Sequence, residues 1–162
     1  HSIVPAPNSA DLQPVAQDYI TRLLNHLNYV GVLTLELFVT DKGLYANEMA
    51  PRVHNSGHWS IEGAVCSQFE NHIRAVAGLP LGSTEVFRPT VMINIIGQYP
   101  QSEQVLALEG VHLHLYNKEE REGRKIGHLT LMPNDTAQLT MLCRQLAKIL
   151  PNPLALSEDM TI

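Results

Sequence analysis

The sequence predicts an α+β fold in two parts, and three observations carry that expectation. Apolar residues recur at helical spacing over 12–27 and again over 135–149. Strand-like runs lie between them, at 31–50 and then at 91–97, 111–117 and 126–132. A stretch without periodicity, 79–90, is punctuated by Pro80, Gly82 and Pro89 and separates the two parts. The expected division is 1–83, an antiparallel sheet with helices, and 84–162, a small β-rich domain with a terminal helix.

Composition excludes several classes. The chain has 162 residues, 44% hydrophobic and 17% charged, which is incompatible with disorder throughout. No apolar run approaches the ~18 residues of a membrane span. Eleven Lys and Arg stand against sixteen Asp and Glu, a net charge of -5. That balance argues against a broad nucleic-acid footprint but leaves room for a local anion site. Cys66 and Cys143 lie far apart among apolar neighbours, as buried free thiols of a reducing, cytoplasmic compartment do. The start, HSIVPAPNS, lacks the basic and apolar regions of a secretory signal.

The elements follow in order. Pro5 and Pro7 keep the first nine residues extended. Leu12, Val15, Ala16, Tyr19, Ile20, Leu23 and Leu27 then mark an amphipathic helix. Ser9 or Asp11 is placed to cap it, and Pro14 is tolerable only in its first turn. GVLTLELFVT (31–40) reads as a buried strand and LYANEMA (44–50) as its return. Asp41-Lys42-Gly43 is the expected three-residue hairpin loop. PRVHNSGHW (51–59) breaks all periodicity. A second helix is expected from Ser60 to about Val76, capped by Ser60. Its face would be Ala64, Val65, Phe69, His72, Ile73 and Val76, with Gly78 and Pro80 ending it. Trp59 would anchor its start in the core. In the second part, Leu139, Leu142, Cys143, Leu146 and Ile149 line one face of the last helix, Pro151 stops it, and 151–162 is a loosely held tail.

Register then makes a chemical point. With a three-residue loop Thr40 pairs with Leu44, Phe38 with Ala46 and Glu36 with Glu48. Directly opposed residues have Cβ atoms only ~4.5–5.5 Å apart on one face, so the two carboxylates repel. A divalent cation such as Mg²⁺ offsets that repulsion, commonly with phosphate oxygens completing its shell. A register off by one residue, or an Arg beside either Glu, is the alternative. The following loop crowds Arg52, His54, Asn55 and Ser56 together, a few residues after Asn47 of the return strand. Arg52 suits a carboxylate or phosphate, and Gly57 would let the backbone approach a ligand. A second polar cluster, Lys118, Arg121, Arg124 and Lys125, alternates with Glu119, Glu120 and Glu122. It reads either as a phosphate cradle or as a self-neutralised turn. His112 and His114 share a strand face but have no ligand motif nearby, and His26, His72 and His128 read as structural.

NEMAPRVHNSGHW (47–59) resembles the signature NExAPRxHNSGHW of the 5-(carboxyamino)imidazole ribonucleotide synthases, ATP-grasp enzymes of purine biosynthesis. GVLTLELFVT before it, SQFENHIRAVAGLPLG (67–82) after it and KEEREGRKIGHLTL (118–131) match in the same order. The resemblance implies the end of an ATP-grasp domain over 1–83 and a small barrel-sandwich-like C-terminal domain over 84–162. It implies an ATP-dependent ligase that joins bicarbonate to 5-aminoimidazole ribonucleotide through carboxyphosphate. By matching position, Glu36 and Glu48 would be Mg²⁺ ligands, with Asn47 and Glu48 beside ATP. Arg52 would stabilise the carboxyphosphate. Arg52, His54, Asn55 and Ser56 would line the bicarbonate and ribonucleotide pocket, and Lys118, Arg124 and Lys125 would hold the ribonucleotide phosphate. A cytoplasmic homodimer is implied for the full-length enzyme, with no nucleic-acid or membrane partner. The family's enzymes are longer and carry an N-terminal domain and an adenine-binding portion that this sequence does not show. Three rivals remain at this point. One is a non-catalytic ribonucleotide-binding or assembly fragment. Another is a structural α+β module with a decayed site. The third is the formate-dependent glycinamide ribonucleotide transformylase, which shares the core but not the loop.

Overall fold

Strand β1 (Ser2–Val4) opens the chain, followed by α1 (Gln13–Leu27) and the hairpin β2 (Thr34–Thr40) and β3 (Gly43–Ala50). Two helices, α2 (Ser60–Gly63) and α3 (Gln68–Val76), complete this part. Then come β4 (Thr90–Ile96), α4 (Ser102–Leu106), β5 (Val111–Leu115), β6 (Lys125–Leu131) and α5 (Thr136–Ile149). The computed structural model describes residues 1–6 and 9–152. Pro7, and the tail from residue 153 on, therefore lie outside the described residues. These residues form two compact units: one takes β1 and everything from Val86 on, the other runs as far as Glu85.

The first unit is a four-stranded antiparallel sheet in the order β1-β4-β6-β5. Period-2 patterning puts Val91, Ile93, Ile95, Leu129, Leu131 and Val111 into one apolar cluster with Leu139, Leu142 and Leu146 of α5. Asp135 caps α5, its Oδ1 accepting from the Gln138 N–H at 2.7 Å. β1 was expected only as an extended lead-in, yet it pairs with β4 through Ser2↔Met92 and Val4↔Thr90. Cys143 is half-buried, and burial pushes its thiol up from the ordinary range. Cys66 is buried, and both thiols are free.

The second unit departs from expectation in three ways. α1 starts at Gln13 with Leu12 at its N-cap and no side-chain cap. Ser9 contributes its carbonyl instead, accepting from the Leu12 and Gln13 N–H groups. The helix expected from Ser60 is broken, because Ala64 is extended (φ -116, ψ 154) and α3 starts afresh. Ser67 caps it, accepting the Glu70 N–H at 3.2 Å, and Ser67-x-x-Glu70 is a capping pattern readable in the sequence. Ser60 does not cap; its hydroxyl donates to the Gly57 carbonyl and accepts the Gln68 N–H.

The third departure is the orientation of α3. Its apolar residues Phe69, Ile73 and Val76 are exposed, while Asn71 is buried. Hydrogen bonding decides this. The Asn71 side chain accepts from Gly82 N–H (2.8 Å) and donates to Gly82 C=O (3.2 Å). His72 Nδ1 accepts the Val32 N–H at 3.0 Å, just ahead of β2. Loop backbone groups without ladder partners are satisfied by this polar face. The strand expected to be buried over 31–40 is half-buried over its first residues, and Phe38 and Val39 are exposed. Among the described residues β2 and β3 form a two-stranded sheet by themselves, and most of β3 is exposed. Trp59, expected as a core anchor, is half-buried. Among the described residues no helix is long and apolar enough to cross a membrane.

Leu146 is fully buried between helix and sheet. Leu146→Ala should cost about 2–5 kcal/mol. Urea unfolding followed by circular dichroism measures this, and an unchanged midpoint would mean that α5 does not anchor the sheet.

Candidate functional site

The hairpin reaches the expected carboxylate pair by a different route. Its loop has two residues, not three, since Thr40 pairs with Gly43, Val39 with Leu44 and Phe38 with Tyr45. A two-residue loop alone would put Glu36 out of step with Glu48. The register slips once between Glu36 and Leu37, where Leu37 pairs with Ala46 but Glu36 pairs with Glu48. Asn47 is the extra residue of this β-bulge. The bulge also re-aims Asn47. On a regular strand its side chain would point away from Glu48; here its amide donates to Glu36 Oε2 at 3.2 Å. Glu36, Asn47 and Glu48 therefore share one patch.

His54 closes this patch. Its ring is nearly buried, with Nδ1 3.6 Å from Glu36 Oε1 and Nε2 3.7 Å from Glu48 Oε1. Nδ1 also lies 2.8 Å from the Ser56 hydroxyl and within reach of the Ser56 N–H. In the neutral ring Nδ1 accepts from Ser56; in the protonated ring each nitrogen faces a carboxylate. Among the described residues no Lys or Arg lies within ion-pair distance of either Glu; the groups that face them are the His54 ring and, for Glu36, the Asn47 amide. No three His, Cys, Asp or Glu side chains converge in metal-ligand geometry among the described residues. Two opposed carboxylates with spare acceptor sites nevertheless fit a hard cation that takes its other oxygens from phosphates and water.

Gln68 holds the loop. Its Oε1 accepts the His54 N–H at 3.0 Å, and its Nε2 donates to the His54 C=O at 2.8 Å. The same Nε2 lies 2.9 Å from His58 Nδ1. The sequence reading missed this residue. It gave Gly57 room for a ligand, but Gln68 occupies that room: a Cβ on Gly57 would stand 2.6 Å from Gln68 Oε1. Tyr29, also missed, donates its hydroxyl to the Pro51 carbonyl at 2.7 Å and fixes the start of the loop. Arg52 is exposed, with Nη1 donating to its neighbour's carbonyl at Val53. Asn55 and Ser56 sit in a single 3₁₀ turn, half-buried.

The second predicted cluster belongs to the other compact unit. Lys118 is exposed and Arg124 half-buried on the connection from β5 to β6, and exposed Lys125 opens β6. Gly123 there takes φ 70, the left-handed turn conformation that Gly adopts without strain. Lys118 Nζ donates to the Lys125 carbonyl at 3.5 Å. His112 and His114 lie on β5, and His114 stacks on buried His128 of β6, with ring centroids 4.4 Å apart.

Known families and structures resemble this chain along most of its length. Residues 1–69 match the ATP-grasp domain family, and residues 90–141 match the phosphoribosylaminoimidazole carboxylase C-terminal domain. The chain is 58% identical over 134 residues to the N5-carboxyaminoimidazole ribonucleotide synthase of Pseudomonas aeruginosa, covering 83% of this chain and 37% of that protein. It superposes on the N5-carboxyaminoimidazole ribonucleotide synthetase of Thermus thermophilus with a TM-score of 0.88 at 50% identity, covering 93% of this chain and 42% of the other. The Aspergillus clavatus synthase, solved with ADP and 5-aminoimidazole ribonucleotide, gives 0.81 at 31% identity, with 93% and 43% covered. The chain thus spans about two fifths of the length of the relatives it matches.

The Gln68 clamp can be checked on stability alone. Gly57→Ala should destabilise by about 1–3 kcal/mol, by displacing the Gln68 amide. Gln68→Met should cost about 1–3 kcal/mol for each His54 backbone group left unpaired. Because the first change acts through the second residue, the double variant should fall short of additivity in guanidinium unfolding. Simple additivity would mean that the two residues act independently.

Proposed function

Because the chain belongs, as a C-terminal portion, to the N5-carboxyaminoimidazole ribonucleotide synthase family, we propose that it supplies the metal- and substrate-holding part of an ATP-dependent ligase. That ligase carboxylates the exocyclic amine of 5-aminoimidazole ribonucleotide with bicarbonate. Residues 1–83 serve as the end of the ATP-grasp portion and 84–162 as the C-terminal domain. The working assembly is a cytoplasmic homodimer of the longer enzyme.

One observation carries the reading: the apposition of Glu36 and Glu48 across the bulge, with no Lys or Arg beside them among the described residues. Such repulsion is retained where a cation is to be held. Glu36 and Glu48 would hold Mg²⁺, which when bound neutralises the nucleotide's phosphate charge. Asn47, fixed by the bulge, approaches the same phosphates while orienting Glu36. Bicarbonate oxygen attacks the γ-phosphorus, ADP leaves, and the carboxyphosphate formed is attacked by the amine, which releases phosphate. Arg52 is exposed and able to turn its guanidinium onto the carboxyphosphate oxygens. His54, Asn55 and Ser56 line the bicarbonate and ribonucleotide side, their backbone set by Gln68. Lys118, Arg124 and Lys125 bind the ribonucleotide 5′-phosphate. Catalysis of this kind is mainly positioning and charge neutralisation.

The second reading is a chain that binds these ligands without turning them over. The coverage of only about two fifths of its relatives favours it for the chain alone. ATP- and bicarbonate-dependent phosphate release should then be undetectable with this chain alone, and measurable turnover would remove that reading. Glu48→Gln separates a metal site from a plain hairpin. Mn²⁺ binding in the presence of ADP, read by electron paramagnetic resonance, should weaken at least ~10-fold, in line with loss of one of two carboxylate ligands. Thermal stability should rise slightly as the repulsion is relieved. Unchanged Mn²⁺ binding would overturn the assignment.

A further inference from the structure

We propose that two tyrosines, Tyr99 and Tyr116, preset Lys118 as a phosphate-binding cation, acting as positioning residues that never touch the phosphate. The inference rests on the reading of Lys118 as a ribonucleotide-phosphate ligand and adds what makes that lysine competent.

Lys118 lies on an irregular connection, where a long side chain would ordinarily sample many rotamers. Ordering such a side chain costs conformational entropy. The structure removes much of this freedom beforehand. The Tyr99 hydroxyl donates to the Lys118 carbonyl at 2.8 Å and accepts the Lys118 N–H at 2.9 Å. One phenol thus brackets both backbone groups of the lysine, much as a neighbouring strand would. Tyr99 is itself fixed, since its own N–H donates to Glu120 Oε1 at 2.7 Å.

The side chain is held separately. Lys118 Nζ stands 5.1 Å from the centroid of the Tyr116 ring, within cation–π range. The ring cannot drift, because the Tyr116 hydroxyl lies 2.6 Å from Nδ1 of His128. His128 is buried and stacked on His114, with an interplanar angle of 12°. His114 and His128 thus form a stacked base beneath this ring. Its ammonium donates to the Lys125 carbonyl over a long 3.5 Å bond, and the Lys118 side chain is exposed. A phosphate arriving there meets a cation already placed.

Binding of ribose 5-phosphate to the whole chain, followed by NMR titration, tests this, with Lys118→Ala, Tyr116→Leu, Tyr116→Phe and Tyr99→Phe alongside the parent. Lys118→Ala should abolish binding. Tyr116→Leu should weaken it about 2- to 5-fold, as expected for an exposed cation–π contact, and Tyr99→Phe should weaken it comparably. Tyr116→Phe retains the ring and should bind more tightly than Tyr116→Leu. A readout blind to general stability is the ring-current shift of the Lys118 ε-protons, present in the parent and Tyr116→Phe and lost in Tyr116→Leu. If Lys118→Ala abolishes binding while Tyr116→Leu and Tyr99→Phe bind like the parent, the inference is wrong and the site stands. If the parent does not bind, or Lys118→Ala binds like it, the phosphate assignment of Lys118 fails and this inference with it. Tyr99→Phe keeps the test open should Tyr116→Leu unfold.

Discussion

Side-chain hydrogen bonds from one face of α3 hold the irregular backbone of this unit in place. Gln68 grips His54, Asn71 grips Gly82, and His72 takes the amide ahead of β2. The spacing 68, 71, 72 is the i, i+3, i+4 stripe of a helix, so one rigid element sets three distant segments. A buried backbone amide without a partner costs ~1–3 kcal/mol. Loops at 51–59 and 79–85 cannot pair with a strand, and the side chains of α3 stand in for one. His54, which faces the two carboxylates, inherits its position from this arrangement.

The same arrangement explains why hydropathy pointed the wrong way for α3. Phe69, Ile73 and Val76 recur at helical spacing and read as a core stripe, yet they are exposed. Amide and imidazole groups carry specific partners, and apolar periodicity is silent about partners. Where a helix packs on loops rather than on a sheet, its polar face can be the inward one. α5 shows the ordinary case: it packs on a sheet, and Leu139, Leu142 and Leu146 were legible at once.

The carboxylate pair was legible for an incomplete reason. Counting back from a three-residue turn gave Glu36 opposite Glu48; the turn has two residues, and the bulge at Asn47 restores the count. Nothing in hydrophobic pattern announces a bulge, although a polar Asn between Ala46 and Glu48 is compatible with one. The loop signature was readable because Arg52, His54, Asn55 and Ser56 crowd one short stretch of chain. The break between α2 and α3 is also written, in the capping pattern Ser67-x-x-Glu70, which apolar periodicity over 60–76 masks. β1 and α4 are too short for any periodicity to declare them.

The bulge has a consequence for how this hairpin can vary. Two geometries give the same opposition of Glu36 and Glu48: a tight tip with a bulge, or a looser tip without one. They differ only in the pairing of residues 37–46. The bulge therefore works as a length buffer, insulating the carboxylates from the tip. One residue gained or lost around Asp41 and Lys42 can be absorbed by moving or erasing the bulge. One lost on the far side, between Glu48 and Ala50, has no such outlet and would pull the loop that carries His54 out of reach.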